Sequence, residues 1–299
     1  MSAVATRERQ AVETAPSVPT GKVHVIEPWR PGIAARIEEL WRWRRLFGFF
    51  GKQYLLRRVR NTWLGWIWIP LRPGIDIVTR AFFFGAILGA DSGDRPYIIF
   101  FTFGSCGWVV FESVNRWATR SMRMSNGFVK KAYAPRLPRF GAVLVPAGLD
   151  FFLYVLVAVV AVFYYVIARH KLYLVPSPHL MIGVAGILLL ATWGLTVGLW
   201  TSPWSAYTKD VRYSFGYVTQ FWYFITPIAY PISQMPPKYQ LIAELNPITA
   251  PIEMVKYGFL STAAPTSISL ISCFGALIVL IAAGLRSFSR FEGAAVARL

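Results

Sequence analysis

Apolar runs of membrane-crossing length dominate this chain, and the short polar segments between them collect most of its positive charge. A helix needs roughly 20 mostly apolar residues to cross a bilayer. Runs of that kind occupy 64–89, 96–117, 141–168, 180–200, 215–233 and 266–286. A soluble domain carries roughly 25 % charged residues. Here the figure is 15 %, against 55 % hydrophobic and 16 % aromatic side chains and a mean hydropathy of +0.46. The expected fold class is an all-α integral membrane protein with six transmembrane helices over 64–286. Arg72, Asp76 and Arg80 make the first run the least clean.

Lys and Arg number 31 against 14 Asp and Glu, an excess that suits either nucleic acid or lipid headgroups. Its placement separates the two. Segments 1–63, 116–140, 201–214 and the end beyond 286 lie on one side of the alternating spans and hold most of it. Only Arg95, Arg169, Lys171, Lys238 and Lys256 fall on the other side. Basic loops stay cytoplasmic, so both termini are expected in the cytoplasm, the basic partners are membrane lipids, and no nucleic acid is expected.

Residues 1–30 are polar and broken by Pro16, Pro19 and Pro28, which reads as a disordered cytoplasmic tail. Within 31–63, RIEELWRWRRLFGFF (36–50) is too charged to span and too aromatic to leave the surface, so an amphipathic helix in the interface plane is expected. The outer segment 234–265 holds two apolar stretches, about 238–245 and 248–259, each too short to cross. Asn246-Pro247 separates them, because the residue before proline is driven out of the helical region. A re-entrant outer hairpin follows, an exit gate, with Glu244 and Glu253 near its turn. Residues 287–299 are expected as a cytoplasmic tail. Cys106 and Cys273 lie in apolar runs, and His24, His170 and His179 are scattered; no metal site, disulfide or catalytic residue is expected.

Three charges of the first span, Arg72, Asp76 and Arg80, recur at i, i+4 and i+8 and share one helix face. A charge unpaired in hydrocarbon costs at least about 2.5 kcal/mol, so that face should meet protein or a wet cavity, with Asp76 bridging both arginines. It serves either as a structural ladder or as a place where Arg72 receives an anionic headgroup. Glu112 and Arg116, again i and i+4, read as a structural pair, with Asp150 a further charge near a span end. Aromatic rings pack on the apolar faces of sugars. Phe103, Trp108 and Phe111 in the second span, and Phe221, Trp222, Tyr223, Phe224 and Tyr230 in the fifth, are candidates for lining a channel. Lipid-facing and interfacial rings are the alternative use.

Four phrases occur in order along the chain. RVRNTWLGWIWIPLRP presents Arg58, Leu64, Gly65, Trp68, Arg72 and Pro73; KKAYAPR spans 130–136; KDVRYSFGYVTQFWYFITPIAYP runs from Lys209 to Pro231; ELNPITAPIEMVKYG runs from Glu244 to Gly258. From about residue 52 onward they resemble the membrane subunits of ABC-2 type polysaccharide exporters, which carry O-antigen, teichoic acid and actinobacterial galactan chains. Val59 stands where that family shows Tyr, Ala134 where it shows Phe, Lys209 for Arg, Thr226 for Ser and Ala229 for Ile. The closing GLRSFSRFEGAAVARL keeps the family's pattern only through Phe288, Arg290 and Glu292.

That resemblance implies a permease in the bacterial inner membrane, with the interface helix and two re-entrant outer helices of the ABC-2 fold. It implies two such chains around one pore, with a lipid-linked glycan as substrate and Arg58 and Arg72 near its point of access. The sequence has no G-x-x-x-x-G-K-[ST], so it cannot cradle nucleotide phosphates in a P-loop; ATP and Mg are expected on two copies of a separate soluble ATPase. SNGFVKKAYAPRLPR (125–139) is then the coupling helix. Phe128, Lys130, Lys131, Tyr133, Pro135 and Arg136 would meet the ATPase, with Asp210 and Arg212 as a second contact. Export of a drug or glycolipid by a more distant branch is the alternative. A membrane enzyme is disfavoured because no convergent acidic pair is present.

Overall fold

The computed structural model describes residues 44–59, 63, 65–90, 93, 95–124, 140–174 and 178–297. The coupling segment, with Phe128, Lys130, Lys131, Tyr133, Pro135 and Arg136, lies outside them. Every regular element among the described residues is helical: α1 (Arg44–Val59), α2 (Trp68–Ala81), α3 (Tyr97–Met124), α4 (Leu144–Arg169), α5 (Leu180–Tyr207), α6 (Asp210–Ile225), α7 (Pro237–Leu245), α8 (Thr249–Leu260) and α9 (Ser267–Ala297).

Four of these, α3, α4, α5 and α9, are long and apolar enough to cross a membrane. The other two expected spans take different forms. The first begins as a 3-10 turn (Gly65–Ile67), continues as α2 and loosens into a π-helical stretch (Phe82–Ile87). Pro73 inside α2 removes one ladder hydrogen bond, and the three charges lower the run's apolarity. The fifth run was expected over 215–233, but α6 covers 16 residues and stops at Ile225. Thr226 precedes Pro227 and is extended, with φ −83° and ψ 134°. At about 1.5 Å per residue α6 is about 24 Å long, short of a full hydrocarbon core.

The centre of the bundle is the pair α3 and α5. Their approach is set by small residues, as in membrane helices lacking a hydrophobic drive to associate. In WGLTVGLW, a Cβ on Gly194 would lie 2.9 Å from the Phe111 carbonyl, and Gly198 faces Ala118. Phe101, Trp108, Phe111, Leu190, Trp193 and Ile252 fill the common core. Consequently α3 is almost wholly buried, while α4 and α9 leave most of their apolar surface outward.

Helix α1 (Arg44–Val59) overlaps the stretch expected to be amphipathic and runs nine residues beyond it. Phe47, Phe50 and Tyr54 share a face that packs toward the start of α4, where a Cβ on Gly51 would strike Val145 at 2.6 Å. Tyr54 also stacks on Trp117 of α3. At the opposite end of the sequence, α9 continues to Ala297 through residues expected as a tail.

A charged cavity and a helical hairpin as the candidate functional site

Packing of α2, α3 and α4 leaves an open cavity of about 810 Å³. Its wall carries Arg72, Asp76 and Arg80 from α2, Glu112, Arg116, Trp117 and Arg120 from α3, and Asp150 and Tyr154 from α4. The i, i+4 spacing brings these groups together: each helix turns one charged stripe to the same space, which keeps the charges out of lipid.

Most of the charges inside are neutralised. Arg80 pairs with Asp76 at 2.9 Å and lies 4.4 Å over the Tyr223 ring of α6, while the Tyr154 hydroxyl donates to Asp76 at 2.9 Å. On α3, Arg116 bonds Glu112 at 3.2 Å and approaches Asp150 at 3.5 Å. Asp150, nearly buried, accepts a short hydrogen bond from Ser113, and the Trp108 indole donates to Glu112 at 3.1 Å. Asp76 thus holds Arg80 and Tyr154 and does not bridge to Arg72, as the shared helix face had suggested. Arg72 is exposed to the cavity and makes no ion pair or hydrogen bond among the described residues. Arg80, two turns further along α2, has taken the carboxylate, with Tyr154 and Tyr223 fixing that choice.

The candidate aromatics divide in two. Phe103, Trp108, Phe111 and Tyr223 are buried in the single chain: Trp108 is edge-on to Phe111 and to Tyr223, and Phe103 packs with Phe259. Phe221 and Phe224 stand on the outward side of α6, with Tyr213 and Tyr217 along the same helix. Trp222 and Tyr230 are half-buried, and the Tyr230 hydroxyl donates to the Phe224 carbonyl at 2.6 Å. Arg58 falls in the last turn of α1, and Asp210 is the exposed first residue of α6.

The expected outer stretches form α7 and α8, with Asn246-Pro247 between them. Asn246 does more than end a helix. Its side chain accepts from the Trp222 indole at 2.8 Å and from the Ile248 amide at 3.2 Å, and it donates to the Thr226 hydroxyl at 2.9 Å. Lys256, counted above among the outer loop charges, is only 3 % exposed. Its ammonium donates to the Pro227 carbonyl at 2.6 Å and lies 4.4 Å over the Phe100 ring. Burial pushes this ammonium below the usual lysine range and Glu253 above the usual carboxylate range, each drawn partly back by the other's charge. The hairpin is therefore joined to the end of α6 by Asn246 and Lys256, while Glu244 and Pro247 are half-buried beside the turn.

Residues that the sequence reading left out include Tyr154, Arg120 and the role of Lys256. Arg120 was within reach: Glu112, Arg116 and Arg120 repeat the i, i+4, i+8 stripe seen in α2. Tyr154 carried no such signal, since its partner Asp76 comes from α2. Lys256 follows Glu253 by three residues on α8, but its acceptor, the Pro227 carbonyl, comes from just beyond the end of α6.

The profile of the ABC-2 type transporter family matches residues 45–260. A comparison with curated proteins finds no match. The match takes in α1 through α8, hence the cavity and the hairpin together, and covers more than two thirds of the chain. The chain belongs to the ABC-2 type transporter family, as the multi-pass membrane permease of an ABC transporter that pairs with an ATP-binding subunit.

Proposed function

We propose that this permease exports a lipid-linked polysaccharide of the O-antigen, teichoic acid or galactan type across the bacterial inner membrane. The observation that carries this reading is the charged cavity with Arg72 left without a protein partner. A lipid-linked glycan enters from the membrane carrying a phosphate or diphosphate at the junction of lipid and sugar. A planar guanidinium with free donors suits such a group. Arg80 and Arg116, held by Asp76 and Glu112, add positive ends without collapsing onto the anion.

Two copies of the chain, each with an ATPase subunit that binds ATP and Mg, form the working unit. Phe221 and Phe224 on α6 then offer rings along which a sugar chain slides without a fixed register. Both termini face the cytoplasm, residues 125–139 couple to the ATPase together with Asp210, and the α7–α8 hairpin closes the outer end between cycles.

Depletion of the protein followed by extraction of isoprenoid-linked polymers tests the substrate. A full-length glycan on its lipid diphosphate should accumulate in the cytoplasmic leaflet. Unchanged glycan lipids, with retention of an amphipathic drug or a glycolipid, would favour the alternative branch.

A further inference from the structure

A second, smaller pocket lies behind the cavity wall, between α3 and α6, with a volume of about 80 Å³. A single water needs about 10–15 Å³ of such space, so the pocket has room for one tetrahedral oxyanion. Three guanidiniums surround it: Arg116 and Arg120 from α3 and Arg212 from α6.

Only one of the three is compensated. Arg116 is held by Glu112, whose two oxygens are taken by Arg116 and by the Trp108 indole. That carboxylate also lines the pocket, but its charge is already matched. Arg120 and Arg212 make no ion pair and no side-chain hydrogen bond among the described residues. The Nε of Arg212 is nevertheless buried without any acceptor. Buried donors almost always have a partner, and an orphan calls for an explanation such as a bound ion. Like charges brought together at a helix end repel unless something neutralises them. A single anion seated between Arg120 and Arg212 answers both.

We infer that Arg120 and Arg212, with Arg116 at the wall shared with the large cavity, form a binding site for one phosphoryl group on the α6 side of α3. The shared chemistry is a tetrahedral phosphorus with anionic oxygens, from an anionic phospholipid headgroup or from free phosphate. Arg212 is thereby given a task inside the permease, apart from the ATPase contact expected of it. Glu112, Arg116 and Arg120 also line the larger cavity, but Arg212 belongs to this pocket alone, so loss of phosphate or lipid binding in Arg212→Gln with export retained separates this site from the glycan reading.

The test uses the full chain with its ATPase subunit in nanodiscs. In discs of phosphatidylcholine alone, inorganic phosphate is titrated by calorimetry. In discs with phosphatidylglycerol added, retained anionic lipid is counted by native mass spectrometry, with and without phosphate. Wild-type protein should bind one phosphate per chain, or retain one phosphatidylglycerol per chain. Arg120→Gln and Arg212→Gln should each weaken this by roughly tenfold or more, as expected for loss of a charge-assisted hydrogen bond. Arg212→Lys keeps the charge but loses the fork and should fall between them; it also carries the test if Arg212→Gln fails to assemble. Arg169→Gln, at the far end of α4, should change nothing. Retention of lipid that phosphate displaces assigns the headgroup as the ligand, and phosphate binding insensitive to phosphatidylglycerol assigns the free anion. Equal binding by wild type and the Arg120→Gln/Arg212→Gln double variant, or no binding by either, overturns the site.

Discussion

Arg72 and Asp76 sit one turn apart on the same helix, yet their replacement should have opposite consequences. Arg72 has no protein partner in the cavity, so Arg72→Gln should leave the melting temperature of the purified complex within a degree or two. Substrate-stimulated ATP hydrolysis and glycan export should fall by roughly tenfold, the cost of about one charge-assisted contact. Asp76 holds Arg80 and Tyr154. Asp76→Asn should therefore act on stability, by about 1–3 kcal/mol, between exposed and buried ion pairs. A thermal melt beside an export assay separates the two. Normal export by Arg72→Gln would remove this arginine from the substrate path.

At the scale of elements, the hairpin and the end of α6 move together or not at all, because Asn246 and Lys256 tie them. Asn246→Ala strands the Trp222 indole and the Ile248 amide, and each such buried orphan costs about 1–3 kcal/mol. Hydrogen exchange over 246–260 should accelerate, and vesicles containing the variant should leak small solutes. Cysteines at Thr226 and Asn246, joined by a short thiol-reactive bridge, should have the reverse effect. Export should stop while assembly persists, since the native Cys106 and Cys273 are buried and remain outside the reaction. Export through the bridged protein would reduce the hairpin to a surface feature. The boundaries of α6 also show where a one-dimensional reading runs short. Apolarity continues past Tyr223 to Pro231, but Pro227 ends the helix at Ile225 and frees the carbonyl that Lys256 captures.

For the whole molecule, the decisive quantity is stoichiometry. The six expected spans are half the usual complement of such exporters, and nothing in the sequence repeats internally, so the proposed complex should weigh as two permeases with two ATPase subunits. Native mass spectrometry reads this directly, and a second, different permease in the particle would refute the homodimer. Cysteines at Lys131 and Tyr133 should crosslink to the ATPase and resist labelling from the outer face.

Sequence alone determined what depends on order along the chain. Hydropathy located helices, prolines and glycines punctuated them, Asn246-Pro247 separated α7 from α8, and four phrases in succession pointed to the family whose profile the chain matches. These are local properties, set within one or two helical turns. Tertiary structure decided which charge meets which. The i, i+4 rule places Arg72 and Arg80 equally well beside Asp76, and only Tyr154 of α4 and Tyr223 of α6 break the tie. Likewise Lys256 reads as an outer-surface cation until α8 buries it against Pro227 and Phe100, and Arg212 as a loop charge until α6 sets it opposite Arg120. A side chain's charge is written in the sequence. Its partner is chosen by packing among helices far apart in the chain, where the penalty for an unmatched charge in a low dielectric selects the arrangement.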